Sequence, residues 1–241
     1  MSTLVENVEK VKNAHAALSA SIEAKGVSVP AGTKLTDMPA LVEQIQTEPV
    51  PTNPRAVFAG DSVSSITVPD MLVVDVSEIK DLHYAFYSCT NLKSLTLPAG
   101  FGSVATSMDG CFSRCRNLQS LTLPEGCGKH VWNFNYCFEY CDSLSSLSLP
   151  AGFGENVNNV YSSFRGCAKL KSIVFPEGFG KKLYNIYAGF YDCSALETIT
   201  FPAGFGVICK VFTYCFHGCT SLTTINGGIE AKASLDLSPC T

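Results

Sequence analysis

The sequence predicts an α/β solenoid, a right-handed rod of parallel strands built from 26-residue rungs and preceded by a small helical unit, on three observations. A proline recurs at Pro98, Pro124, Pro150, Pro176 and Pro202, with the same spacing at every step. Apolar side chains recur in the same phase as ladders: Phe86, Phe112, Phe138, Phe164, Phe190 and Phe216; Leu92, Leu118, Leu144, Leu170, Leu196 and Leu222; Leu95, Leu121, Leu147, Ile173, Ile199 and Ile225. Six cysteines, Cys89, Cys115, Cys141, Cys167, Cys193 and Cys219, keep the same interval. A period of this length marks stacked supersecondary units, in which each side chain packs on its own copy in the rungs above and below.

Within a rung, Leu-x-x-Leu-x-Leu-Pro ends in strict apolar and polar alternation, which predicts a short strand closed by proline. The Gly-x-Gly that follows predicts a turn. Phe-x-x-Cys-x-x-Leu has helical spacing and predicts a short helical turn that returns the chain to the strand. About seven such rungs, at ~4.8 Å each, make a rod of roughly 30–35 Å. The first rung is irregular, because the interval from Val63, Ile66, Val68 and Pro69 to Leu92, Leu95, Leu97 and Pro98 is longer than the regular one.

Ahead of the rungs, Leu4, Val8, Val11, His15, Leu18 and Ile22 fall at heptad-like intervals. That seam suits a coiled coil joining subunits into a homo-oligomer through residues 4–22, or an amphipathic helix lying on its own chain. Asp37 is placed as the N-cap of a predicted second short helix through Met38, Leu41, Val42 and Ile45. The predicted organisation is therefore a helical unit over 1–46, acting as coiled coil or N-terminal cap; a proline-rich linker over 47–56; the solenoid over 57–225; and a C-terminal cap over 226–241. Exposed end rungs need such caps.

Composition narrows the function classes. A net charge of -4 with 16% charged residues offers no basic stripe for nucleic acid. No apolar run approaches the length of a membrane span, and Met1-Ser2-Thr3-Leu4-Val5-Glu6-Asn7 lacks the basic and apolar regions of a secretory signal. The expected location is a virion, or the cytoplasm until assembly, with the cell surface as the alternative.

Chemistry is weighed against the repeat. Cys111/Cys115, Cys137/Cys141 and Cys215/Cys219 have a spacing that can present two thiolates to zinc. In other rungs the first position is Ser163 or Gly189, so it reads as a small-residue slot beside the Phe ladder, and the periodic cysteines read as reduced core thiols. The Gly-x-Gly pairs, including Gly178/Gly180 before Lys181-Lys182, lack the Gly-Lys-Ser/Thr of a phosphate loop. His83, His130 and His217 fall in different columns with no recurring carboxylate or nucleophile beside them. No catalytic residue, metal ligand or cofactor site is predicted.

Met108-Asp109-Gly110-Cys111-Phe112-Ser113-Arg114-Cys115-Arg116-Asn117-Leu118-Gln119-Ser120-Leu121-Thr122-Leu123-Pro124 resembles the BspA-like bacterial leucine-rich repeat, whose centre is Phe-x-x-Cys-x-x-Leu. The resemblance spans about residues 63–241. It implies a leucine-rich-repeat rod in a non-enzymatic surface or secreted protein used for adhesion and recognition. The rungs here are a few residues longer, with an inserted Gly-Phe-Gly. Near the N-terminus, Lys25-Gly26-Val27-Ser28-Val29-Pro30-Ala31-Gly32-Thr33-Lys34-Leu35 resembles segments of phage or prophage tail-type proteins.

A repeat protein holds its core columns constant and reads partners on the free ones. All nine tyrosines fall between Gly-Phe-Gly and Cys, together with Trp132, Asn133, Asn135, Asn158, Asn159 and Asn185. Tyrosine offers contact area at low entropic cost, and asparagine offers adaptable hydrogen bonds. Trp132, Tyr136, Tyr161, Tyr184, Tyr187, Tyr214, Asn133 and Asn135 are the predicted binding residues, for a protein or glycan ligand. Two readings stay open beside this one: tyrosines that only clad the rod, and a spacer or assembly protein whose shape is its function.

Overall fold

A computed structural model describes residues 79–227 and the backbone of the strand Ser65–Thr67. The chain divides into two units, Met1–Val50 and Pro51–Thr241, and all described residues belong to the second. The predicted helical unit, the linker and nearly all of the predicted C-terminal cap lie outside the described residues.

Seven three-residue strands follow one another: β1 (Ser65–Thr67), β2 (Ser94–Thr96), β3 (Ser120–Thr122), β4 (Ser146–Ser148), β5 (Ser172–Val174), β6 (Thr198–Thr200) and β7 (Thr224–Asn226). Pairing is parallel and in phase with the repeat: Leu121 faces Leu147, Ile173 faces Ile199 and Ile199 faces Ile225. In β1 and β2, Ile66 faces Leu95 across the longer interval of the irregular rung. In β2, β3 and β5 the central Leu or Ile is buried and the two flanking residues are exposed, as a period of two requires.

Strand pairing is only one of four backbone seams. A second runs through single parallel bridges, Asp81 to Ser107, Asn133, Asn159, Asn185 and Val211. A third joins the second glycines of the turns: Gly128 N–H donates to Gly102 O at 3.1 Å and Gly154 N–H to Gly128 O at 3.2 Å. The fourth lies in the return segment, where Tyr84, Phe86 and Ser88 N–H donate to the Asp109, Cys111 and Ser113 carbonyls at 2.9, 2.7 and 2.9 Å.

That fourth seam corrects one expectation. The Phe-x-x-Cys-x-x-Leu stretch is a run of i to i+3 turns, with Ala85 N–H on Leu82 O, Cys89 N–H on Phe86 O and Leu92 N–H on Cys89 O. It is not helix, because every second amide is spent on the neighbouring rung and none is left for an i to i+4 ladder. The turns need left-handed backbone at two columns, and non-glycine residues occupy many of those places, among them Tyr84 (φ 54°), Arg114 (φ 64°), Tyr136 (φ 51°), Tyr140 (φ 55°) and Tyr214 (φ 56°). Bulky residues rarely sit there, and the strain is on the order of 1–3 kcal/mol each. The inter-rung hydrogen bonds hold them.

The interior is a set of ladders. Phe86, Phe112, Phe138, Phe164, Phe190 and Phe216 stack in sequence, with centroids 5.0–5.7 Å apart. Leu92, Leu118, Leu144, Leu170 and Leu196 are fully buried. Phe153, Phe179 and Phe205 form another stack behind the turns.

Eleven described cysteines are free thiols, ten of them buried. In the periodic column five thiols donate to the phenylalanine carbonyl of the preceding rung, Cys115 to Phe86, Cys141 to Phe112, Cys167 to Phe138, Cys193 to Phe164 and Cys219 to Phe190, at 3.0–3.2 Å. Cysteine suits this slot as a small buried hydrophobe with a weak donor. Burial holds Cys137 and Cys141 well above the usual thiol range and pushes Cys127 up to about 12. Thiolate is the reactive form, so buried Cys127, Cys137, Cys141 and Cys167 should resist a soluble thiol reagent at neutral pH in the native protein and react fully in denaturant. Rapid native labelling of Cys141 or Cys167, read by peptide mass, would contradict this packing.

Candidate binding surface

The return turns determine which side chains face outward. Asn133 ends a bridge, and its Oδ1 accepts the Asn135 N–H at 3.2 Å; Asn185 Oδ1 accepts the Tyr187 N–H at 2.8 Å in the same way. Asn135 Oδ1 crosses to the next rung and accepts the Tyr161 N–H at 3.0 Å. Asparagine at this place closes a local side-chain-to-backbone turn. The two predicted asparagines therefore hold the loops that present the tyrosines.

Four predicted residues come together. The ring centroids of Tyr136 and Tyr161 lie 5.2 Å apart, those of Tyr161 and Tyr187 5.0 Å apart and stacked, and those of Tyr187 and Tyr214 5.7 Å apart and edge-on. This lane climbs four rungs. Tyr136 and Tyr214 occupy the left-handed column, whereas Tyr161 and Tyr187 stand one residue earlier, beside Ser162 and Ala188. The lane is continuous although no single column supplies it. Tyr214 is 50% exposed, and the other three are half-buried. Desolvation pushes the Tyr136 phenol up to about 12, with Tyr161 and Glu139 adding to the effect, so it stays neutral at ordinary pH.

Trp132 and Tyr184 lie in the column just before the bridges, two rungs apart with Asn158 between them. They are 51% and 52% exposed, and Lys210 Nζ sits 5.8 Å from the Tyr184 ring centroid.

Beside the tyrosine lane runs a second strip. Arg114, Arg116 and Arg165 all place their guanidinium carbons within 5.6–5.7 Å of the Tyr140 ring centroid. Arg165 also lies 4.9 Å over Tyr191, which stacks on His217 at 4.8 Å; His217 in turn meets Tyr214 at 5.9 Å and joins the two strips. Glu139 lies between Arg165 and Arg114, whose charges oppose the upward push of burial on its carboxyl. Arg116 Nη1 is paired with Asp142 Oδ2 at 2.9 Å.

The rung text is decisive for the family. Six copies of the BspA-type leucine-rich repeat region match residues 53–185 and 134–231. The chain belongs to the BspA-type leucine-rich repeat family. Its sequence is 18% identical to a leucine-rich repeat protein of Bacteroides ovatus over 69% of this chain and 61% of that one, with a TM-score of 0.33. It is likewise 18% identical to a leucine-rich cell surface protein of Faecalibacterium prausnitzii over 70% of this chain and 61% of that one, with a TM-score of 0.32. The chain thus matches about three fifths of each of these structures. No curated protein matches it significantly.

For a BspA-type rod, the constant columns are scaffold, and the arginine strip is what column reading misses. Arg165 shares its column with Tyr87, Ser113, Glu139, Tyr191 and His217, so no repeat signal marks it. Among the described residues no helix is long and apolar enough to cross a membrane.

Proposed function

We propose that this BspA-type rod is a non-enzymatic recognition module whose ligand lies along the tyrosine lane. The observation that supports this is the unbroken line of Tyr136, Tyr161, Tyr187 and Tyr214, partly exposed across four rungs, with Trp132 and Tyr184 exposed on two of the same rungs. Rings in such a line offer flat apolar faces with a hydroxyl at the edge, which suits the faces of sugar rings and the side chains of a protein partner alike. The lane follows the rod axis, so an extended glycan or peptide segment fits it. The module is carried on a phage tail-like particle or a bacterial surface, with residues 4–22 joining copies of the chain.

Combined alanine substitution of Trp132, Tyr136, Tyr161 and Tyr187 should abolish binding to host cells or to a glycan array and leave the circular dichroism unchanged. Undiminished binding by that variant would reject the lane and favour a spacer, whose function is its shape.

A further inference from the structure

The strip beside the lane contains one group whose surroundings imply a ligand. The Arg165 guanidinium is flanked by two tyrosines, 5.6 Å from the Tyr140 ring centroid and 4.9 Å from that of Tyr191. Flanking of this kind holds a planar cation by its faces and leaves its donor edge for a partner. No protein group closes on that edge: among the described residues the Arg165 side chain makes no hydrogen bond or close ion pair, Nε is buried without a partner, and Glu139 attracts the guanidinium only at longer range. Only Nε is sealed in this way, and the half-buried Arg165 side chain keeps its two Nη groups in reach of solvent.

The local charge leaves room for one anion. Arg114, Arg116 and Arg165 surround Tyr140, and against them stand Glu139, which faces Arg165 and Arg114, and Asp142, which is committed to Arg116 at 2.9 Å. Three cations against two carboxylates leave the cluster with one excess positive charge, shared between Arg165 and Arg114, and of these two Arg165 is the one flanked by two tyrosines. The strip meets the tyrosine lane through His217 and Tyr214, 5.9 Å apart.

Resting on the reading of the lane as the ligand track, we propose that Arg165 is the subsite for the carboxylate or sulfate of an acidic sugar, so that the ligand class is an acidic glycan. The sugar ring stacks on the lane, and its anionic group takes the two Nη donors of Arg165, the bidentate geometry that a guanidinium offers and an ammonium does not. Arg114 lies exposed beside the same ring and adds attraction at longer range.

The test measures binding of the full chain to oligogalacturonate, to its neutral methyl ester, to a sulfated galactan and to polyglutamate, by affinity electrophoresis and calorimetry. Binding of the uronate or the sulfated glycan at least about tenfold tighter than the ester is expected, which is the scale of one charge-assisted bidentate pair. Arg165→Met should erase that preference and leave the weaker ester binding as it was. Arg165→Lys, which keeps the charge without the fork, should recover only part of it.

Equal binding of acid and ester, or an unchanged preference in Arg165→Met, overturns the subsite. Polyglutamate bound as tightly as the uronate overturns the assignment to a glycan. If Arg165→Met changes nothing while the four-residue lane variant loses binding, the subsite fails and the recognition function stands. If the lane variant also binds as wild type, both fail.

Discussion

Phe164→Ala is expected to destabilise the rod by about 3–5 kcal/mol, the range for removing a large aromatic from a packed core. The ring is fully buried, stacked on Phe190 at 5.0 Å and Phe138 at 5.7 Å, edge-on to Phe175 at 5.9 Å and tilted against Phe134 at 5.9 Å. Domains of this kind are stable by roughly 5–15 kcal/mol, so the loss is a large share of the total. The site also lies mid-rod. In a solenoid, stability is a sum of weak rungs and the interfaces that couple them, so a gap at this rung should uncouple the two ends. Urea unfolding followed by circular dichroism should show a lower midpoint and a broadened or two-step transition. Phe112→Ala, whose ring stacks on Phe86 and Phe138, should do less. A loss below about 1 kcal/mol at Phe164, far short of the core range, would contradict the stacked ladder.

The second large effect separates the two glycines of one turn. Gly152 and Gly154 both have φ of 73°, so alanine at either position introduces left-handed strain of about 1–2 kcal/mol. They differ in what a methyl group would meet. At Gly152 the nearest atom is Glu155 Oε1, the end of a flexible side chain, at 3.2 Å. At Gly154 the methyl would land on the Phe179 ring, which is fully buried between Phe153 and Phe205 and stacked on Phe175 at 4.3 Å. Overpacking of that sort adds about 1–3 kcal/mol. Gly154→Ala should therefore cost about 2–5 kcal/mol and Gly152→Ala about 1–2 kcal/mol. Equal losses in thermal or urea unfolding would show that the second glycine is needed only for its backbone.

The rungs are legible in the sequence wherever identity recurs. Phe138, Cys141, Leu144 and Leu147 announce an interior because their copies recur one rung away, and a parallel stack has to place copies in register. The turn segment misleads for a specific reason. Spacings of three fit a helix and a run of i to i+3 turns equally well, and the deciding fact, that the Phe86, Phe112 and Phe138 amides donate to the next rung, involves residues far along the chain. The surface is legible only in part. Tyr136, Tyr161, Tyr187 and Tyr214 follow no fixed interval, each step being longer than the one before, so aligned columns scatter what the backbone assembles. Arg165 has no arginine in its column and is meaningful only between Tyr140 and Tyr191.

Repetition in the chain is enough to set the rung, the in-register strands, the buried ladders and the side of the rod on which variable residues gather, because stacking repeats packs each side chain against its own copy. How those variable residues meet one another is settled only in three dimensions. The lane joins tyrosines of the left-handed column, Tyr136 and Tyr214, to tyrosines one residue earlier, Tyr161 and Tyr187, and the inter-rung hydrogen bonds that hold this backbone form only when the rungs stack. The tyrosine lane and the flanked Arg165 are products of that stacking.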